Sequence, residues 1–517
     1  MKPVYFTTIV FLFSIAAIAQ SACPVIPAPK EASQASGVFL LNSSTPLLVS
    51  GRAATSVSAY LQKELLRTKN IKLNDKKRAG SPAIKLVLSK QSKLADEAYA
   101  VKMSRSGITV TASHTAGLFY GVISLLQIID QSPLKQHTVS VSCWNITDAP
   151  QYSWRGLMLD ESRHFFGKEK VKSILNWMAF YKLNRFHWHL TDEPAWRLEI
   201  KKYPLLTTVG GKGNYTNPGA EAKFYTQQDI KELVQYAEER QIIIVPEIDM
   251  PGHATAANRA YPQFSGGGSA KHPEFTFHPG KEETYSYLTN ILRETKELFP
   301  GNLLHIGGDE VSFGNEKWLS DSLVKNLMIK NHVKDAKGVE EYFIKRMADS
   351  IYNMKATLLA WDEVADAGLP VDKTIIFWWR HDKPEQLTRV LDKGYNTVLC
   401  PRLPLYFDFV QDSTHTPGRK WNGAFNSIQD VYTFTAATLP GVTAANGKQI
   451  LGIQANVWTE TMPTAQRLDY MLFPRIAALA EAAWTTNKSK NYLQFKQRLE
   501  SHFALYAKDG LNFYKPF

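Results

Sequence analysis

The sequence predicts a parallel (β/α)8 barrel preceded by a small α+β domain. Three observations carry this expectation. Beyond Trp154, apolar runs recur, each followed by polar or aromatic residues and usually by a helical pattern. At 517 residues the chain exceeds one average domain and suits a large barrel with a smaller companion. The stretch before Trp154 has another rhythm, with short β-like segments between helix-like ones.

Taken in order, the N-terminus comes first. "MKPVYFTTIVFLFSIAAIAQSAC" carries Lys2, a short apolar run and "AIA" before Gln20. That is the layout of a cleaved export signal, and the run is too short for a stable membrane span. Residues 1–19 are therefore expected to be removed, giving a periplasmic or secreted protein. Cys23 raises lipid anchoring as an alternative, but Gln20 suits a lipoprotein site poorly.

From there to about 148 an α+β domain is expected, its boundaries set at 20–148. "AIKLVLSK" (83–90), "AYAVKMS" (98–104) and "GITVTAS" (107–113) read as strands. Residues 53–68 and 114–130 place apolar side chains at helical spacing. Asp148, Ala149 and Pro150 mark a linker.

The barrel is expected over 149–517. Its eight strands are "RGLMLD", "NRFHWHLTD", "IIIVPEID", "NLLHIGGDE", "TLLAWDE", "TIIFWW", "NTVLCPR" and "LGIQANVWTE". Helices are expected over 168–182, 226–241 and 338–353, and "SGGGSA" (265–270) reads as a flexible loop tip. Alternating strands and helices of this kind build a barrel whose active site lies at the C-terminal strand ends. Those ends carry Asp160, His189, Asp192, Glu247, Asp249, Asp309, Glu310, Trp361, Glu363, Trp458 and Glu460.

Composition narrows the function. The formal net charge is +12, but Lys and Arg are scattered, and the densest cluster, "NDKKRAG" (74–80), reads as a solvated loop. No nucleic-acid partner is expected. Three cysteines, Cys23, Cys143 and Cys400, make neither a disulfide framework nor a zinc site.

Three chemistries compete for the adjacent carboxylates of "LLHIGGDEV" (303–311). A "GGDE" string also occurs in cyclic-dinucleotide synthases, but export removes the chain from cytoplasmic GTP. His187 and His189 share one side of a strand, as in metal hydrolases. That reading needs further histidines and a final Asp, whereas the eighth strand offers Asn456, Trp458 and Glu460. His305 lies deep in its strand and reads as a packed core residue. No metal or cofactor is expected. The third chemistry acts on an uncharged bond, with Gly307 and Gly308 bending the strand so that both acids reach one pocket. A helix-capping role for Glu310 is the plain alternative. Trp361, Trp379, Trp421 and Trp458 lie at or near strand ends with Tyr406. Indole faces pack pyranose rings while charged groups take the hydroxyls. Tryptophans, acids and no metal together point to glycoside hydrolysis.

"WRGLMLDESRHF", "FHWHLTDEPAWR", "PEIDMPGHA", "HIGGDEV" and "GIQANVWTE" together resemble the β-N-acetylhexosaminidases of glycoside hydrolase family 20. The resemblance spans nearly the whole mature chain. It implies that Asp309 orients and polarises the 2-acetamido group and that Glu310 is the general acid/base. It implies that Arg155 holds the C3 and C4 hydroxyls, and that Asp192, Asp249 and His253 form a polar network beneath the acid. Trp361, Trp379 and Trp458 would wall the acetamide methyl, and Tyr406 would hydrogen-bond its oxygen. Asp408 and Glu460 would bind outer hydroxyls, and Trp421 would join the aromatic wall. One departure is visible: many members have two aspartates where this chain has Asp192 then Glu193. The implied reaction is removal of terminal GlcNAc or GalNAc from glycans with retention, the substrate's acetamide oxygen acting as nucleophile. A non-catalytic glycan-binding barrel and a metal-dependent amidohydrolase are the rivals. Oligomeric state is not legible.

Overall fold

The computed structural model describes residues 22–74, 81–416, 418–420 and 423–517. The expected signal segment, most of "NDKKRAG", and Trp421 lie outside the described residues. Among the described residues no helix is long and apolar enough to cross a membrane.

The first domain is a single sheet with two helices. Its strands are β1 (Glu31–Leu41), β2 (Leu47–Ser50), β3 (Ala83–Leu88), β4 (Tyr99–Ser104), β5 (Gly107–Ala112), β6 (Leu134–Lys135) and β7 (Thr138–Asp148). They pair in the order β1-β7-β4-β5-β3-β2, with β6 on β7. Helix α1 (Thr55–Lys69) buries Val57, Leu61 and Leu65, a spacing of three to four that puts one face inward. Helix α2 (Thr115–Asp130) is buried from Gly117 to Ile129, because it is sandwiched between the sheet and the second domain.

The second domain is a closed barrel. Its strands are β8 (Trp154–Asp160), β9 (Arg185–His189), β10 (Ile243–Glu247), β13 (Leu303–His305), β14 (Thr357–Trp361), β15 (Thr374–Trp378), β16 (Asn396–Leu399) and β17 (Ile450–Val457). All neighbours are parallel, and β17 closes onto β8. Each coincides with one of the eight apolar runs, β8 and β17 starting one residue earlier. The strands are buried on both faces, which is why they read as continuous rather than alternating hydrophobic sequence.

One expectation fails here. Within "SGGGSA", Ser265–Gly267 (β11) pairs antiparallel with Thr276–Phe277 (β12). The loop is folded back on itself, and the Trp318 indole N–H caps the pairing by donating to Thr276 Oγ1 at 3.0 Å.

Candidate active site

The C-terminal strand ends converge on one pocket. It is lined by Arg163, Asp192, Asp249, His253, Asp309, Glu310, Trp361, Trp379, Arg402, Tyr406, Phe409, Arg419, Trp458 and Glu460. The space between these side chains, counted out to open solvent, is about 620 Å³.

Beneath its floor, Glu247 at the end of β10 is fully buried. His189 Nδ1 (2.7 Å), His187 Nε2 (2.9 Å), His305 Nδ1 (3.0 Å) and the Trp361 indole N–H (2.9 Å) surround its two oxygens. Despite its burial, these neighbours hold Glu247 well below the usual carboxylate range. The paired histidines of "HWH" thus turn toward an anion in the barrel interior, and His305 is the buried core residue expected. Fixing the Trp361 indole edge also fixes the wall above it.

The next layer is a relay. His189 Nε2 meets Asp192 Oδ2 at 2.8 Å, and Asp192 Oδ1 meets His253 Nδ1 at 3.1 Å. His253 Nε2 then lies 3.7 Å from Asp309 and 3.6 Å from Glu310. Burial works against charge on His253, but Asp192, Asp249 and Asp309 hold its pKa well above the ordinary imidazole value. Burial pushes Asp249 up to about 8, against the pull of His253 and with Glu247 adding to the rise. Asp309 is likewise raised well above its ordinary value, chiefly by burial and then by Asp249, with Glu310 and Glu363 contributing.

Asp309 and Glu310 reach the same pocket because regular strand geometry ends four residues earlier. β13 stops at His305, and Gly307 (φ +67°), Gly308 (φ +89°) and Glu310 (φ +53°) are left-handed. A Cβ on Gly307 would stand 1.8 Å from Asp249 Oδ1, and one on Gly308 2.4 Å from Val364 Cγ2. Only glycine fits either position. Glu310 begins a short 3-10 turn over Val311–Phe313 without capping it by its side chain, so the capping alternative does not hold.

The aromatic walls form a connected set. Trp361 and Trp458 rings lie 6.1 Å apart, Tyr406 is 6.2 Å from Trp458, and Trp379 stacks on Tyr406 at 17°. Trp379 donates its indole N–H to Glu363 (3.1 Å), whose carboxyl is pushed up to about 8 by burial and by Asp362. On another wall, Arg419 bridges Glu460 (2.6 Å) and Asp408 (3.2 Å). Asp408 therefore stands behind the lining residues, and its burial raises it to about 7.

Arg155 is not in this pocket, which corrects the sequence expectation. It is the second residue of β8, at the opposite end of the barrel. Its guanidinium donates to Glu97 (2.8 and 3.0 Å), Tyr120 Oη (2.9 Å), Lys182 O (2.8 Å) and Tyr152 O (2.8 Å). Three of these five bonds reach Glu97 and Tyr120 of the first domain and two reach barrel carbonyls, so the guanidinium is fully engaged away from the pocket. The arginine that β8 brings to the pocket is Arg163, three residues past the C-terminal end of the strand. Asp160 accepts the Ser162 and Arg163 backbone N–H groups (2.9 and 3.1 Å), which fixes the turn that carries it. Arg163 meets Asp192 at 2.7 Å and lies 5.1 Å over the Trp458 ring. Position along the strand was the signal that distinguishes the two. Arg402, Phe409 and Arg419 were also missed; the last sits in a loop without a motif.

A family description, "Glycosyl hydrolase family 20, catalytic domain", matches residues 152–487, and "Glycosyl hydrolase family 20, domain 2" matches 22–149. The chain belongs to glycosyl hydrolase family 20. It is a glycoside hydrolase on a two-domain scaffold. A β-hexosaminidase of Porphyromonas gingivalis is 31% identical over 95% of this chain, which spans 64% of that protein. A β-N-acetylhexosaminidase of Cellulomonas fimi is 29% identical, with 95% of each chain covered. In structure, an exo-β-N-acetylglucosaminidase of Vibrio harveyi superposes with a TM-score of 0.88 at 30% identity, covering 96% of this chain and 79% of that one. The β-N-acetylhexosaminidase of Streptomyces coelicolor gives 0.82 at 28% identity, covering 96% and 98%.

Proposed function

We propose that this family 20 enzyme is an exo-acting, retaining β-N-acetylhexosaminidase that releases terminal GlcNAc or GalNAc by substrate-assisted catalysis. The observation that carries the reading is the Asp309–Glu310 pair, turned into one tryptophan-walled pocket and flanking His253. Two adjacent acids with different surroundings suit two roles. Asp309, the less exposed, stabilises the acetamide N–H as positive charge develops there. Glu310, nearer the mouth, protonates the leaving oxygen and then activates water. The acetamide oxygen attacks C1, and an intramolecular nucleophile arrives already positioned. Arg163 takes hydroxyls of the terminal sugar through its fork of donors, while Glu460 and Arg419 contact its outer hydroxyls.

The nucleophile is tested with aryl glycosides carrying zero to three fluorines on the acetamide methyl. Each fluorine withdraws electron density from the attacking oxygen, so kcat/KM falls progressively. A flat series, or a trapped glycosyl–carboxylate adduct, would move the nucleophile onto the protein.

The chain is further read as exported, in a released rather than lipid-anchored form. Cys23 supports the released form, because its half-buried side chain packs against the interdomain core. Fractionation with labelled palmitate tests this, and label on the protein would reverse it.

A further inference from the structure

Beside Glu310 lies a group of side chains that the pocket itself does not use. Phe313 closes the 3-10 turn that Glu310 begins, its N–H bonded to Glu310 O at 2.9 Å. It is 46% exposed, unusual for a phenylalanine one turn from a buried polar site. The His272 ring stacks on it at 28° with centroids 5.6 Å apart. His272 is held from behind by Glu193, whose two oxygens lie 3.0 and 3.1 Å from its Nδ1. The set is anchored to the catalytic end. His272 abuts Phe275 at 5.3 Å, Phe275 abuts His253 at 4.8 Å, and His253 approaches Glu310 at 3.6 Å. The turn is pressed onto this group, since a Cβ on Gly314 would lie 2.5 Å from Phe275 Cβ.

We propose that Phe313 and His272, positioned by Glu193, form a platform for the ring of the leaving-group sugar. The argument is directional and rests on the function proposed above. Glu310 must touch the oxygen that leaves, so the group on that oxygen extends past Glu310 and away from the tryptophan walls. On that side stands a flat, partly apolar surface of two stacked rings. A β-linked pyranose presents apolar C–H faces that pack on such rings, while its hydroxyls find the Glu193 carboxylate at the edge. The platform thus selects aglycones that are themselves sugars. Glu193 also gains a purpose: the longer side chain at this position carries the carboxylate out to His272.

The experiment compares a β1,4-linked GlcNAc disaccharide with methyl N-acetyl-β-glucosaminide, which shares the terminal sugar but has no leaving-group ring. Wild-type hydrolysis of the methyl glycoside tests the function by itself. The ratio of kcat/KM for the two substrates tests the platform. Phe313→Ala lowers that ratio by roughly 5–20-fold, mainly through KM for the disaccharide, as loss of one stacking surface does. Phe313→Trp restores it. Glu193→Ala, which frees His272 without removing a ring, lowers the ratio by a smaller factor. An unchanged ratio in Phe313→Ala, or a Phe313→Trp variant no better than the alanine, would overturn the proposal.

Discussion

At the scale of single residues, the environment of Asp309 sets a pH dependence. The productive form in the proposed reaction is the carboxylate, because only that form stabilises a positive N–H. Burial and Asp249 raise its pKa, so protons bind it at higher pH than they bind an ordinary aspartate near 4. Activity is therefore lost as pH falls through that raised value. The acid limb of kcat/KM, which reports the free enzyme, lies clearly above pH 4 and disappears in Asp309→Asn along with most of the rate. A wild-type profile flat down to pH 4 would argue against this role. The two arginines of the β8 region give a second contrast. Arg163→Ala weakens a terminal-sugar inhibitor such as a GlcNAc thiazoline. Arg155→Ala takes the guanidinium away from Glu97 and Tyr120 and lowers stability by about 2–4 kcal/mol, with inhibitor affinity retained. Inhibition constants and thermal denaturation of both variants measure this directly.

Secondary-structure elements decide how much of the site could be read beforehand. Barrel strands are short and buried on both faces, so each appears as an apolar run, and its last residues point to the pocket. His189, Asp192, Asp249, Asp309 and Trp361 were legible for that reason. In the first domain, β1 and β7 were not recognised, although β7 alternates buried and more exposed residues from Thr138 to Cys143 as a half-buried strand does. β1 reads "EASQASGVFLL", mostly exposed, and its register shifts between Gln34 and Val38. The decisive element is the bend after β13. Gly307→Ala meets both a left-handed φ and the Asp249 carboxyl 1.8 Å away. Gly510, also left-handed at φ +70°, has nothing within 4 Å of a built Cβ. Gly510→Ala therefore costs only the backbone preference, about 1–2 kcal/mol. Gly307→Ala costs more, and it displaces Asp249 from beneath the catalytic pair. Chemical denaturation and kcat of both variants separate strain from displacement; equal losses would remove the steric argument.

The whole molecule is held together by the face opposite the pocket, which was invisible in the sequence because its partners are remote in the chain. One hydrophobic cluster runs without a break from Ile26, Phe119 and Leu125 into Met178, Leu183 and Trp484 of the barrel. Charged groups are embedded in it. Lys182, fully buried after the first barrel helix, donates to Tyr99 Oη at 2.8 Å and lies 3.4 Å from Asp148 at the end of β7. Asp148 also accepts the Tyr99 hydroxyl (2.5 Å) and the Trp484 indole N–H (3.0 Å). Arg498 and Glu481 pair nearby, and Glu481 takes the Ala28 N–H at 2.9 Å. With polar and apolar contacts shared across one interface, the two domains unfold together, and calorimetry gives a single transition. Lys182→Met alone strands the Asp148 carboxylate in a dry interior and costs about 3–5 kcal/mol. Lys182→Met combined with Asp148→Asn removes the uncompensated charge, while the amide oxygen still accepts from Trp484. The double variant thus recovers much of that loss, and the site some strand-lengths away keeps its inhibitor affinity. A double variant no more stable than Lys182→Met, or two separate melting transitions, would show that the interface is not the shared core inferred from these contacts.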